Sequence, residues 1–265
     1  MNSYLRNIKK TIMILAVDVG NTRIKVAVFE GDNLIYCFVF EKELLEKKIS
    51  FILKKFKNIT DLVISSVGNL EKEVFYSFKD QLKIHFITNE TKLPFENCYA
   101  TPKTLGIDRM VLASGAVLLY PNQNRLVIDA GTCITYDFIT SANQYLGGAI
   151  SPGIRLRYES LPHYTANLPL LTLDDYEAQG IRNENPSFIG NSTHQSIHIG
   201  VVNGVVHEME GFMEQYQKQY QNFTIILTGG DADFLAKRLK NTIFANSNFL
   251  LESLNQTFQY KIKND

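Results

Sequence analysis

Cysteine is scarce in this sequence: Cys37, Cys98 and Cys133 are the only three in 265 residues. The number is odd, the spacing is wide and no CxxC pair occurs. That excludes a disulfide framework and a thiolate zinc site, and it points to reduced thiols in a cytosol. Neither charge is in excess, with Lys+Arg and Asp+Glu both at 27. A nucleic-acid footprint, which needs a basic excess or stripe, is therefore not expected. The basic stretch KKISFILKKFK interleaves apolar residues, as an ordinary helix with a solvated face does. No apolar run reaches the roughly 18 residues of a membrane span.

Several chemical signatures are missing as well. There is no GxxxxGK[ST] loop and no GxGxxG. Ser65-Ser66 lacks the GxSxG elbow of a serine hydrolase. His194 and His198 stand four apart, but residue 195 is Gln, so they read as a helix-face pair and not as the HExxH of a zinc hydrolase. Asp174-Asp175 reads as a helix cap or surface turn.

The chain does have apolar content, 45% of its residues. That suffices for a sizeable core in one large domain or in two of about 120 residues. The opening MNSYLRNIKKTIMILAV puts basic residues before a short apolar run. The run then flows into an Asp-x-Gly-Asn-Thr turn with no small-residue cleavage site, unlike a secretion signal. Residues 12–17 are expected to be the first core strand, and residues 1–11 a loose extension or a product of start-codon choice.

From there, ILAVDVGNTRIKVAVFEGD predicts a strand, a tight turn and a returning strand with Ile24, Val26 and Val28 alternating. A third strand is expected at 34–40, a helix at 41–56, a buried strand at 62–69, a helix at 71–81 and a strand at 84–88. This order indicates a mixed α/β sheet with helices on its faces. A polar loop holds NCYATPKTLGIDR, and a helix is expected over 108–119. RLVIDAGTCITYDFI, at 125–139, then repeats the opening layout: Asp18-x-Gly20 recurs as Asp129-x-Gly131. Two such turns about half a chain apart predict a duplicated domain with the halves facing each other. We set the units at 12–113 and 114–265. YLGGAISPGI follows at 145–154, helices are expected at 154–162 and 192–219, and FTIILTGGDADFLAKRL gives a strand, a Thr-Gly-Gly turn and a helix. The apolar positions of VVNGVVHEMEGFM, at 201–213, suit either core or an interface helix.

Glycine turns let backbone N–H groups converge on an anion, and phosphate is the usual one. Asp18 would repel a phosphate unless a cation lay between them, and Mg²⁺ takes carboxylate and phosphate oxygens together. Asp18 therefore fits a turn that holds a metal–nucleotide complex. Lys25, on the returning strand, is placed to neutralise phosphate, and Thr228-Gly229-Gly230 suits a nucleotide's sugar or base.

The combination resembles the actin-like ATPase and sugar-kinase superfamily. DVGNTRIK, GIDR at 106–109, DAGTCITYD at 129–137, GGAISPGI at 147–154 and GNST at 190–193 further resemble the type III pantothenate kinase family, in order, from about residue 13 onward. That resemblance implies two related actin-like (ribonuclease H-like) domains with an ATP cleft between them. It implies ATP-dependent phosphorylation of pantothenate, the first step of coenzyme A biosynthesis, in the cytoplasm. It makes Asp108 the general base and places Tyr99, Gly106, Ile107, Asp108, Arg109 and Thr193 at the pantothenate site, with Arg109 on the substrate carboxylate. ATP falls to Asp18, Val19, Gly20, Asn21, Thr22, Arg23, Ile24, Lys25, Thr132, Gly229 and Gly230. Asp18 and Asp129 become cation ligands, for Mg²⁺ and for K⁺ or NH₄⁺. A homodimer with pantothenate pockets at the subunit interface is implied too. Ile107 and Cys133 depart from the Thr and Ala usual in the family. Two other readings are a kinase of another small hydroxyl substrate on the same fold and a non-catalytic ATP-binding regulator. The intact Asp18, Asp108, Arg109 and Asp129 count against the latter. An actin-like filament former is disfavoured by the short chain.

Overall fold

Alternate residues of the first strand serve two different cores. Ile14 and Ala16 join one apolar cluster, Leu15 and Val17 another, as the two-residue period of a strand buried on both faces requires. The computed structural model describes residues 12–20, 23–66, 73–178, 188–240 and 243–264. Residues 1–11 and the turn residues Asn21 and Thr22 lie outside the described residues, as do 67–69 of the expected strand and 71–72 of the expected helix.

The first sheet is built from β1 (Met13–Val19), β2 (Ile24–Glu30), β3 (Asn33–Phe40), β4 (Ile59–Ser66) and β5 (Lys83–Phe86). Helix α1 (Leu45–Lys55) precedes β4, and the short α2 (Glu73–Tyr76) precedes β5. Then come β6 (Glu96–Asn97) and α3 (Ile107–Leu119). The second sheet is built mainly from β7 (Asn124–Ala130), β8 (Cys133–Ile139) and β9 (Gln144–Pro152). Helices α4 (Ile154–Tyr164), α5 (Leu173–Ala178) and α6 (Thr193–Gln219) follow, then β10 (Phe223–Thr228), α7 (Ala232–Ala236), β11 (Phe244–Ala245) and α8 (Phe249–Asn264).

The sheet orders are β3-β2-β1-β4-β5 and β11-β10-β7-β8-β9-β6. Read from β9, the second sheet repeats the first: an antiparallel meander, then two parallel strands beyond the central one. The expected duplication is thus present in the strand pairing itself. The exchanges across it are β6, which comes before β7 yet extends the second sheet, and α8, which comes last yet packs on β1, β2 and β4.

The layers follow from the apolar clusters. Helices α3 and α8 lie between the sheets, where Met110, Val111, Leu254 and Phe258 meet Ile14, Ala16 and Phe29 on one side and Val127 and Ile226 on the other. Leu45, Ile49 and Ile52 of α1 cover the outer face of the first sheet, which accounts for the basic residues of that helix as its solvated side. Val201, Val205, Met209 and Met213 of α6 cover the outer face of the second, so this stretch is core. The α3–α8 crossing is close because Gly115 has no side chain: a Cβ there would run into Ser253. Beside it Thr257 Oγ1 donates to Ser114 Oγ at 2.9 Å.

Helix α8 and the strand identity of β9 were not foreseen in the sequence. β1 also runs two residues further than expected, to Val19. The His194–His198 reading holds, since His198 is buried against the Tyr158 hydroxyl at 2.8 Å. So does the cap reading of Asp174-Asp175, with Asp175 accepting from Thr172 N and Oγ1 at 2.8 and 2.7 Å.

Candidate active site

Because β1 extends to Val19, Asp18 is not at the tip of its hairpin but one residue inside the strand, opposite Lys25. Its carboxylate is 5% exposed, and Oδ1 accepts from the hydroxyl of Ser65 on neighbouring β4 at 2.9 Å. In the second hairpin Asp129 stands opposite Thr135. The two loops close differently. Gly20 N donates to Arg23 O at 3.1 Å, and Gly131 N donates to Cys133 O at 3.0 Å, so the second loop is one residue tighter. The position that Lys25 holds opposite Asp18 is held by Thr135 opposite Asp129.

The ends of these strands open into one cleft of about 510 Å³. The first hairpin brings Asp18, Gly20, Arg23 and Lys25; the second brings Asp129, Gly131, Thr132 and Cys133. Gly229 and Gly230 close one wall, while Tyr99, Gly106, Asp108 and Arg109 close another. Gly229 has φ +99°, and a Cβ there would strike the Ala130 carbonyl and the Asp129 carboxylate. That position needs glycine for both reasons. The turn is tied down by Asp231 N donating to Ala130 O at 3.0 Å.

Asp108 sits in the first turn of α3, where Gly106 is the N-cap residue. Its Oδ1 accepts from Arg109 N at 2.8 Å. A Cβ on Gly106 would come within 2.5 Å of that oxygen, so the glycine makes room for the carboxylate. Arg109 is 5% exposed and is not a free fork. Its Nε and Nη2 lie 2.9 and 2.7 Å from Asp137 Oδ1, and Asp137 is fully buried.

Three carboxylates, Asp18, Asp108 and Asp129, thus share one cleft. Burial pushes Asp18 up to about 6, against the Ser65 hydrogen bond, and the charge of Asp108 adds to the rise. Burial pushes Asp129 up to about 7, with Asp108 again adding to it. Asp108 is raised too, chiefly by burial. Among the described residues no three His, Cys, Asp or Glu side chains gather into an all-protein metal site. The donor set is hard oxygen, one or two carboxylates at a time, which suits a cation completed by phosphate oxygens.

Not every expected residue meets this cleft. The side chains of Val19 and Ile24 are buried in the outer core of the first sheet. Ile107 packs against the cluster between the sheets. Thr193 lines a separate groove of about 830 Å³ with Arg157, Asn191 and Ser192. Asn21 and Thr22 are outside the described residues. Conversely, Ser65, Asp137 and Tyr145 went unassigned in the sequence. Ser65 was visible as the end of a strand parallel to β1, and Asp137 as a lone acid among Ile134, Tyr136 and Phe138.

Comparison with known proteins gives this geometry a family. Residues 14–215 match the model described as type III pantothenate kinase. The chain belongs to the type III pantothenate kinase family. A protein of that name from Flavobacterium johnsoniae is 66% identical over 253 residues, covering 96% of this chain and all of the relative. One from Bacteroides fragilis is 33% identical, covering 94% of this chain and 98% of its own length. Among solved structures, a conserved putative Baf family transcriptional activator from Campylobacter jejuni gives a TM-score of 0.61 at 22% identity, over 94% of this chain and 100% of that one. A ROK family glucokinase from Streptomyces griseus, in complex with glucose and AMPPNP, gives 0.51 at 10% identity, over 95% and 99%. These solved structures speak for the fold alone, the two-sheet architecture described above.

Proposed function

We infer that this chain phosphorylates pantothenate with ATP to give 4′-phosphopantothenate, the first step of coenzyme A biosynthesis. The observation that carries the inference is the convergence of Asp108 with both glycine hairpins and the Gly229-Gly230 turn on one cleft, in a chain of this family. The described residues include no helix long and apolar enough to cross a membrane.

In this reading the backbone N–H groups of the hairpin loops and Lys25 face the phosphates. Asp108 accepts a hydrogen bond from the primary hydroxyl of pantothenate. As the new O–P bond forms and the bond from the γ-phosphorus to the bridging oxygen of ADP breaks, Asp108 takes the hydroxyl proton. Its raised pKa brings its basicity toward neutral pH. Asp18 is the candidate to hold Mg²⁺, and Asp129 to hold K⁺ or NH₄⁺; the bound cations would supply charge neutralisation for the phosphoryl oxygens. Asp137 takes the Nε and Nη2 edge of the Arg109 fork, so in this reading Nη1 is the nitrogen that meets the pantothenate carboxylate.

We also read the chain as two actin-like units, divided near residue 113, and as a homodimer. Thr193 faces a groove away from Asp108, so a Thr193 contact to pantothenate fits a contribution from the second copy. Tyr164, Leu170, Phe188 and Ile189, adjacent in sequence to that groove's lining, are 60–81% exposed. Large apolar side chains left this exposed suit a covered face.

The test is ADP release with pantothenate, Mg²⁺ and either K⁺ or Na⁺. We expect pantothenate-dependent turnover that needs K⁺ and falls by roughly 100-fold or more in Asp108→Asn. ATP binding without pantothenate dependence would overturn the assignment in favour of another hydroxyl substrate or a regulator.

A further inference from the structure

Four residues beside Asp108 form a seat around the Arg109 guanidinium. Asp137, on β8, is fully buried. Its Oδ1 takes both Arg109 contacts and also accepts from the Tyr145 hydroxyl at 2.5 Å. Tyr145, on β9, is itself fully buried. Its ring lies 6.2 Å from that of Tyr99, and the Arg109 guanidinium carbon lies 5.7 Å from the Tyr99 ring. Gly147 completes the seat: at φ +99° it leaves room for the Tyr99 ring, which a Cβ would approach to 2.9 Å.

A buried carboxylate is costly unless paired and hydrogen-bonded. Asp137 meets that condition through Oδ1 alone, which the guanidinium and the Tyr145 hydroxyl share, and Oδ2 has no hydrogen-bond partner among the described residues. An arginine side chain has several free rotations, and its use on a ligand depends on how many are already fixed. Here the fixing is done from β8 and β9, not from α3, which carries Arg109.

We propose that Asp137 and Tyr145 are positioning residues for the substrate side of this kinase: they hold Arg109, and with it Tyr99, in the pose that receives the acidic end of the substrate. The proposal rests on the pantothenate reading given above. It separates the cleft into two parts, since neither residue lines the hairpin loops that face ATP.

The experiment is steady-state kinetics on the full chain, varying pantothenate at saturating ATP and then the reverse, for wild type, Tyr145→Phe and Asp137→Asn, with melting curves for each. Tyr145→Phe keeps the ring and removes one hydrogen bond to a charged group. It is expected to raise the pantothenate KM roughly ten-fold, the size of one such bond, with the ATP KM within about two-fold of wild type. Asp137→Asn is expected to raise it further. If Asp137→Asn does not fold, Tyr145→Phe decides alone. Unchanged pantothenate KM, or losses that follow the folded fraction and leave both KM values alike, would overturn the seat while the kinase reading stands. A wild-type chain without pantothenate-dependent turnover would overturn that reading, and this inference with it.

Discussion

Asp129 and Asp18 carry the clearest consequence at the scale of single residues. Their carboxyls stand at about 7 and about 6 in the folded chain, against 3.8 as the ordinary value. A folded pKa above the unfolded one means that the folded state binds the proton more tightly. The stability that this contributes is full below about pH 4 and is lost as pH rises through 6 and then 7. The melting temperature of the ligand-free chain should therefore fall between pH 5 and pH 8. Asp129→Asn should flatten that slope. Mg²⁺ with ATP should restore more at pH 8 than at pH 5, because only ionised carboxylates take the cation. A ligand-free profile identical in wild type and Asp129→Asn, measured by calorimetry, would rule the coupling out. At this scale the sequence was legible where a residue sits in a glycine turn or at the strand end beside it: Asp18, Gly20, Asp129, Thr132 and Gly229 all reach the cleft. It was not legible where a residue acts from within a strand, away from any glycine turn. Asp137 and Ser65 lie in apolar runs, and what makes them count is a partner 28 and 47 positions away.

Among the elements, the α3–α8 pair holds the two sheets at their distance. Ser114, Gly115 and Ala116 on one helix and Ser253 and Thr257 on the other let the backbones approach, and a Cβ on Gly115 would come within 2.7 Å of the Ser253 Cα. Gly115→Val should force the helices apart. The expected cost is about 1–3 kcal/mol, as for overpacking elsewhere, with the loss visible as a lower midpoint in urea. Because Asp108 sits in the first turn of α3, the same variant should also lose turnover beyond what its folded fraction explains. A variant with unchanged midpoint would show that the crossing is more compliant than its contacts imply. The helices and strands with a clear period were readable: α1, α3, α4 and α6 fall within a few residues of expectation. Helix α8 was not, since its buried Ser253, Asn255 and Thr257 break the apolar stripe that marks a core helix. Those small polar positions are explained only by the neighbour they face.

For the whole molecule, the repeated order of the two sheets is what two Asp-x-Gly turns at half-chain spacing foretold, and it places both turns at one cleft. The proposed dimer belongs to this scale. Sedimentation of the full chain should give twice the chain mass. Leu170→Glu with Ile189→Glu, at two of the exposed apolar side chains, should give the single-chain mass and lower pantothenate turnover while the isolated chain stays folded by circular dichroism. A wild-type chain that sediments as a monomer at micromolar concentration would exclude the shared pocket. The sequence could not settle assembly, because an apolar residue reads the same whether its own chain or a second copy covers it.

The position of α8 also bears on how the chain is made. Its Leu254 and Phe258 close the inner face of the first sheet, yet they are separated from β1 by more than 230 residues. During synthesis that face, with Ile14, Ala16 and Phe29, has α3 but lacks the cover of α8 until that helix has left the ribosome. The first half therefore cannot be finished first. Loss of the final 16-residue helix would remove the lid of the amino-terminal sheet, at the opposite end of the chain from the cut.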